Sequence, residues 1–126
     1  MQYGSGKYTY ELADGWAKLP QGYTFMDIGS IAIDKQDRVY VLNRSEHPIQ
    51  VFDREGNLLR TWGEGNTFGR AHGSCIGPDD SLYCTDDRKH TVSRGVCAVG
   101  VLRKTEEKIE KIGVGICSRT VAVSIK

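Results

Sequence analysis

The sequence predicts an all-β fold, a partial propeller of about two blades, each a four-stranded antiparallel sheet. Three observations carry this. Short apolar runs recur at about 8–12-residue spacing with polar turns between them, the pattern of sandwiches, barrels and propellers. The stretch AIDKQDRVYVLNRSEHPIQVFDREGNLLRTWG, Ala32 to Gly63, reads as four strands and three turns, with no room for a helix. A second copy of that pattern follows 43 positions later, a repeat length that suits a four-stranded blade.

The elements follow in order. Tyr8 to Leu12 alternates like a strand, Asp14-Gly15 is a turn, and Trp16 to Phe25 is an extended connector. Ser30 to Ile33 is an apolar run, and Lys35 to Arg38 is a polar turn. Val39 to Leu42 is the second strand, bounded by Asn43, Ser45 and Pro48. Ile49 to Phe52 is the third. Asp53 to Asn57 is a hairpin turn in which Gly56 takes positive φ. Leu58 to Trp62 is the fourth strand.

The offset of 43 pairs Ile33 with Ile76, Asp37 with Asp80, Tyr40 with Tyr83 and His47 with His90. It also pairs Leu59 with Leu102 and Arg60 with Arg103. After Val92 the match decays. The Glu-Gly turn is lost, Val96 to Val101 is an apolar run, and Thr105 to Lys111 reads as a charged loop. Thr120 to Ile125, TVAVSI, resembles SIAI and opens a third repeat or a divergent tail. The expected division is 1–24 for the N-terminal strand and connector, 25–65 for blade one, 66–111 for a degraded blade two and 112–126 for the tail, all in a single partial domain.

Composition narrows the function. A net charge of +1 gives no bulk attraction to nucleic acid or membrane. The basic residues Arg88, Lys89, Arg94, Arg103 and Lys104 are mixed with acids and not interleaved with aromatics, so no nucleic-acid partner is expected. No stretch approaches the roughly 20 apolar residues that span a bilayer. The start, MQYGSGKYTYEL, lacks the apolar core of a signal peptide, so a cytoplasmic location is the default expectation. Cys75, Cys84, Cys97 and Cys117 show no metal-type spacing and are expected to be reduced thiols near strands.

The segment DIGSIAIDKQDRVYVLNRSEHPIQVFDREGNLLRTWGEG, followed by HGSCIGPDDSLYCTDDRKHTV, resembles the NHL-repeat β-propellers. It is most similar to the peptidyl-α-hydroxyglycine α-amidating lyase subgroup. The likeness runs from Tyr8 to about Val92 and rests on the Asn43-Arg44 corner, TWGEG, Ala71-His72-Gly73 and Thr85-Asp86…His90. Full members have six blades. The resemblance implies zinc held by histidines from several blades, a structural calcium in the channel, and an arginine and a tyrosine that cleave a hydroxyglycine peptide. It places His72 at the first zinc histidine and Arg44 at the catalytic arginine. The remaining zinc histidines and the tyrosine belong to later blades that this sequence does not contain.

Each candidate also has a plainer reading. One imidazole cannot hold zinc, because catalytic sites use about three protein ligands plus water, so His72 is otherwise a polar strand end. Arg44 could meet a peptide carboxylate bidentately, or it could form a salt bridge with Asp86, Asp87 or Glu46. His47 and His90 occupy equivalent corners, which suits turn hydrogen bonds. Adjacent strand residues face opposite ways, so Asp86 and Asp87 do not form an acid–base dyad, and Asp86 should accept backbone N–H bonds. Trp62 should pack between blades.

Six blades of this length need about 260 residues, and a short arc cannot close its edges. Both ends of the arc are therefore expected to expose apolar faces, with self-association through the open edges. The decay after Val92 suggests a truncated or frame-shifted piece of a longer coding sequence. The expected function is a peptide- or protein-binding repeat module without catalysis and with no cofactor. The alternative is a zinc-dependent lyase that needs other copies to supply the missing ligands. A binder of a small ligand between blades is a third reading.

Overall fold

A computed structural model describes residues 1–96 and 107–108, with side chains described for 1–95. Among these residues the chain is all β, with no helix. A two-stranded hairpin comes first: β1 (Gln2–Ser5) pairs antiparallel with β2 (Tyr8–Glu11). Only β2 was expected. Its partner QYGS lacks apolar alternation, and what makes the hairpin is the turn. Gly6 follows Ser5 with φ 58°, a conformation that a tight two-residue hairpin needs at its first central position. Both strands are exposed on both faces.

Two four-stranded antiparallel sheets form the body. Sheet I runs in chain order through β3 (Ser30–Ile33), β4 (Val39–Leu42), β5 (Ile49–Phe52) and β6 (Leu58–Trp62). Sheet II runs through β7 (Ala71–Ile76), β8 (Ser81–Asp86), β9 (Thr91–Val96) and β10 (Glu107–Lys108). The strands of sheet I begin and end where the apolar runs do. The 107–108 pair lies in a segment expected to be a loop, but it pairs with Val92 and Thr91. The apolar run after Val96, Leu102, Arg103 and the 112–126 tail lie outside the described residues.

The 43-residue repeat is visible in the backbone. Asp37 and Asp80 both take positive φ, 59° and 60°. Asp37 N–H donates to the Asp34 carbonyl at 3.2 Å, and Asp80 N–H to the Gly77 carbonyl at 3.0 Å. The two turns touch: Lys35 Nζ donates to the Pro78 carbonyl at 2.7 Å, again 43 positions on. The leading strands β3 and β7 lie side by side, and Ser30 Oγ donates to the Ser74 carbonyl at 3.3 Å.

Register assigns each side chain to a face, because successive strand residues point opposite ways. Ala32, Tyr40, Leu42, Ile49, Val51 and Trp62 of sheet I meet Ala71, Leu82 and Cys84 of sheet II in one buried cluster. Trp62 thus packs between the sheets, with its ring 5.8 Å from that of Tyr40. The matching outer face of sheet II carries Tyr83, Thr85, Val92 and Arg94, of which Thr85 is exposed and the others half-buried.

The other face of sheet I was expected to lie open. Instead the connector folds across it as a strap. Trp16 packs on Phe52 at 5.6 Å and donates Nε1–H to the Arg54 carbonyl, while Phe25 meets the same ring edge-on at 5.9 Å. Gln50 donates Nε2–H to the Thr24 carbonyl at 2.9 Å. Lys18 N–H donates to the Gly56 carbonyl at 2.9 Å. Gly56, at φ 81°, is required twice over, since a Cβ there would stand 1.8 Å from the Trp16 carbonyl oxygen. Phe52 ends fully buried, while Leu12, Met26, Ile28, Ile33 and Leu59 stay exposed.

Cys84 is a free, buried thiol whose pKa burial pushes up to about 12. Cys75 is disulfide-bonded, which corrects the expectation of four reduced thiols. No helix among the described residues is long and apolar enough to cross a membrane.

Candidate functional site

Arg44, His72 and the Asp86-Asp87 pair come together at one end of the two sheets, where the chain enters β3 and β7 and leaves β4 and β8. The corners are built by two equivalent residues. Asn43, fully buried, accepts the Ser45 N–H at 2.9 Å and the Met26 N–H at 3.4 Å, and donates to the His47 and Pro48 carbonyls. Asp86, 2% exposed, accepts the N–H groups of Gly69, Arg70, Arg88 and Lys89. Burial pushes the Asp86 pKa up, but these backbone donors more than offset it, and the carboxyl sits below its ordinary value. Asp86 therefore takes the corner role the sequence assigned to it.

Outside each corner lies an ion pair, and the two pairs have opposite polarity. Arg44 Nη1 stands 3.7 Å from Asp27, while the equivalent Asp87 is gripped by Arg70, with Arg70 Nε donating at 2.7 Å. The Arg70 hydrogen bond, together with its charge and that of His72, lowers the Asp87 pKa to about 2. Arg44 also crosses to the next sheet, where its Nε–H donates to the Ala71 carbonyl at 3.2 Å. None of Asp86, Asp87 or Glu46 is its partner, contrary to expectation. The Asp86 carboxylate is consumed by backbone donors and Asp87 by Arg70.

His72 is the extra residue of a β-bulge: Ala71 pairs with Asp86 and Gly73 with Thr85, leaving His72 unmatched and exposed. The Thr85 hydroxyl accepts the Gly73 N–H at 2.9 Å and holds the bulge. Gly29 backs onto it so closely that a Cβ would stand 2.7 Å from the His72 carbonyl oxygen. The bulge thereby turns His72 outward beside Asp87. Such bulges re-aim side chains at functional edges.

Among the described residues no three His, Cys, Asp or Glu side chains stand close enough to hold a metal ion, and the carboxylate beside His72 is already taken by Arg70. His47 and His90 do not share one role. His47 stacks on Tyr23 at 4.0 Å and meets Glu64 at 3.3 Å, whereas His90 is exposed with φ 53°.

Asp27 and Arg70 were not singled out from sequence. The signal was present, since the same offset that aligns Arg44 with Asp87 aligns Asp27 with Arg70, with both signs reversed. No protein-family model matches the chain, and the curated proteins contain no match to it.

Proposed function

We propose that the chain is an NHL-type β-repeat fragment, two propeller-like blades long, that works as a peptide- or protein-interaction module without catalysis. The ligand meets the end bearing Asp27, Arg44, Arg70, His72 and Asp87. The observation that carries this reading is the pairing at that end of two oppositely oriented ion pairs with an outward-turned imidazole. Such an arrangement offers donors and acceptors at fixed positions, which serves recognition and orientation more than bulk affinity. The Arg44 side chain is about one third exposed (34%), and its described bonds use Nε and Nη1, leaving Nη2 for a ligand carboxylate.

The test is binding of a short peptide with a free C-terminal carboxylate, followed by NMR, against the same peptide amidated. The free acid should perturb Arg44, Asp27 and His72, and Arg44→Ala should remove the response. Equal response to both peptides, or none to either, removes the proposal. Metal analysis decides the rival. Stoichiometric zinc that disappears in His72→Ala would favour a lyase-like enzyme assembled from several copies.

A further inference from the structure

The repeat breaks at one place between the sheets. In sheet I the ring of Phe52 is fully buried and clasped by Trp16 at 5.6 Å and Phe25 at 5.9 Å. Forty-three positions on, Phe25 becomes Phe68, but Phe52 becomes Gly95. The pairing is otherwise preserved: Val39 stands opposite Phe52, and Leu82 opposite Gly95, on corresponding faces. Ser93 likewise stands where Gln50 does. Phe68 packs against the core without the ring that Phe25 grips.

The missing side chains leave a cavity of about 310 Å³ between the sheets, lined by Ile49, Trp62, Phe68, Leu82, Cys84 and Gly95. An apolar cavity of about 150 Å³ is enough to take up benzene. Of the charged residues along it, Glu64 is engaged with His47, and Arg94 carries its guanidinium on the outer face of sheet II, held by Asp79. A ligand bringing its own charge would therefore find no free partner among them and would lose its hydration.

We propose that this cavity binds a small uncharged aromatic molecule, a single benzene-type ring with at most a short substituent, seated where sheet I places the ring of Phe52. The ring meets Phe68 as Phe52 meets Phe25, and Trp62 forms the opposing wall.

Toluene is the probe, and Trp16→Phe is the parent protein because it leaves Trp62 as the sole tryptophan. Toluene should change Trp62 emission saturably and, well above its dissociation constant, raise the thermal midpoint by roughly 5 °C. Benzoate should do neither. Gly95→Phe supplies the ring from within the chain and should abolish the toluene response. Ser93→Leu fills the same space from two positions along β9, on the same face, and gives the same readout if Gly95→Phe does not fold. Absence of a saturable response in the parent, an equal response to benzoate, or a response undiminished in the filled variants would overturn the proposal.

Discussion

Asn43 and Asp86 stand 43 positions apart and hold the same two pieces of backbone in their respective sheets. Each accepts an N–H from the incoming connector, at Met26 or Gly69, and one from its own corner, at Ser45 or Arg88. Asn43 adds two donated bonds to carbonyls, whereas Asp86 adds two further accepted ones. The amide faces donors and acceptors, and the carboxylate faces donors only.

That difference makes the two residues non-interchangeable. Asp86→Asn would turn an amide NH₂ toward at least one backbone N–H, leaving it unpaired in a buried corner. The expected loss is about 1–3 kcal/mol, read as a lower urea midpoint with unchanged m-value. A neutral outcome would show that the corner does not depend on a pure acceptor.

Acid should loosen the same corner. Asp86 and Asp87 both have folded-state pKa values below their ordinary range, Asp87 at about 2. Their contribution to stability is complete above the unfolded value of about 4 and fades as pH falls through the folded values. The thermal midpoint should therefore drop between about pH 4 and pH 2. Asp87→Asn should flatten part of that slope, and a slope identical to the parent's would remove Asp87 from the account.

Gly56→Ala should be costly for its location in an exposed-looking hairpin. It forces an L-residue to φ 81° and drives a methyl into the Trp16 carbonyl. The strap would have to lift, so the loss should exceed about 1 kcal/mol. Emission from Trp16 should shift red at the same time. A destabilised variant with unshifted emission would separate backbone strain from strap release.

Phe52→Ala should be the most damaging of these changes, at about 3–5 kcal/mol. It empties the space between Trp16 and Phe25 and uncovers the face of sheet I. Light scattering should then detect more association than the parent shows at the same concentration. If stability falls while mass stays unchanged, the strap still covers that face without the ring.

Sheet I was legible in the sequence because its turns carry local signals: Asp37, Gly56 and the Asn43–Pro48 corner each fix a bend whatever surrounds them. The interior positions Tyr40, Leu42 and Val51 follow from alternation alone. The strap was not legible, because WAKLPQGYTF has neither period and its place is set by partners 26 and 38 residues away, Gln50 and Arg54. The site was half legible. Asp86 declared its role through the repeat, but the partner of Arg44 depends on how the Met26–Gly29 lead-in bends, with Asp27 at φ 43°. The bulge that turns out His72 depends on the register of β7 against β8, which no single residue announces.

The outer face of sheet II limits how such modules can be stacked. Where sheet I offers its neighbour Leu42 and Val51, sheet II offers Thr85 and an Arg94 held by Asp79 and lying 5.9 Å from the Tyr83 ring. A filament grown by laying copies behind one another would need the greasy seam of sheet I again at every step. Here it would meet a hydroxyl and a guanidinium whose water must first be stripped away. Two amino-acid differences, Thr85 and Arg94, at positions where sheet I is apolar, thus weigh against runaway stacking on this face.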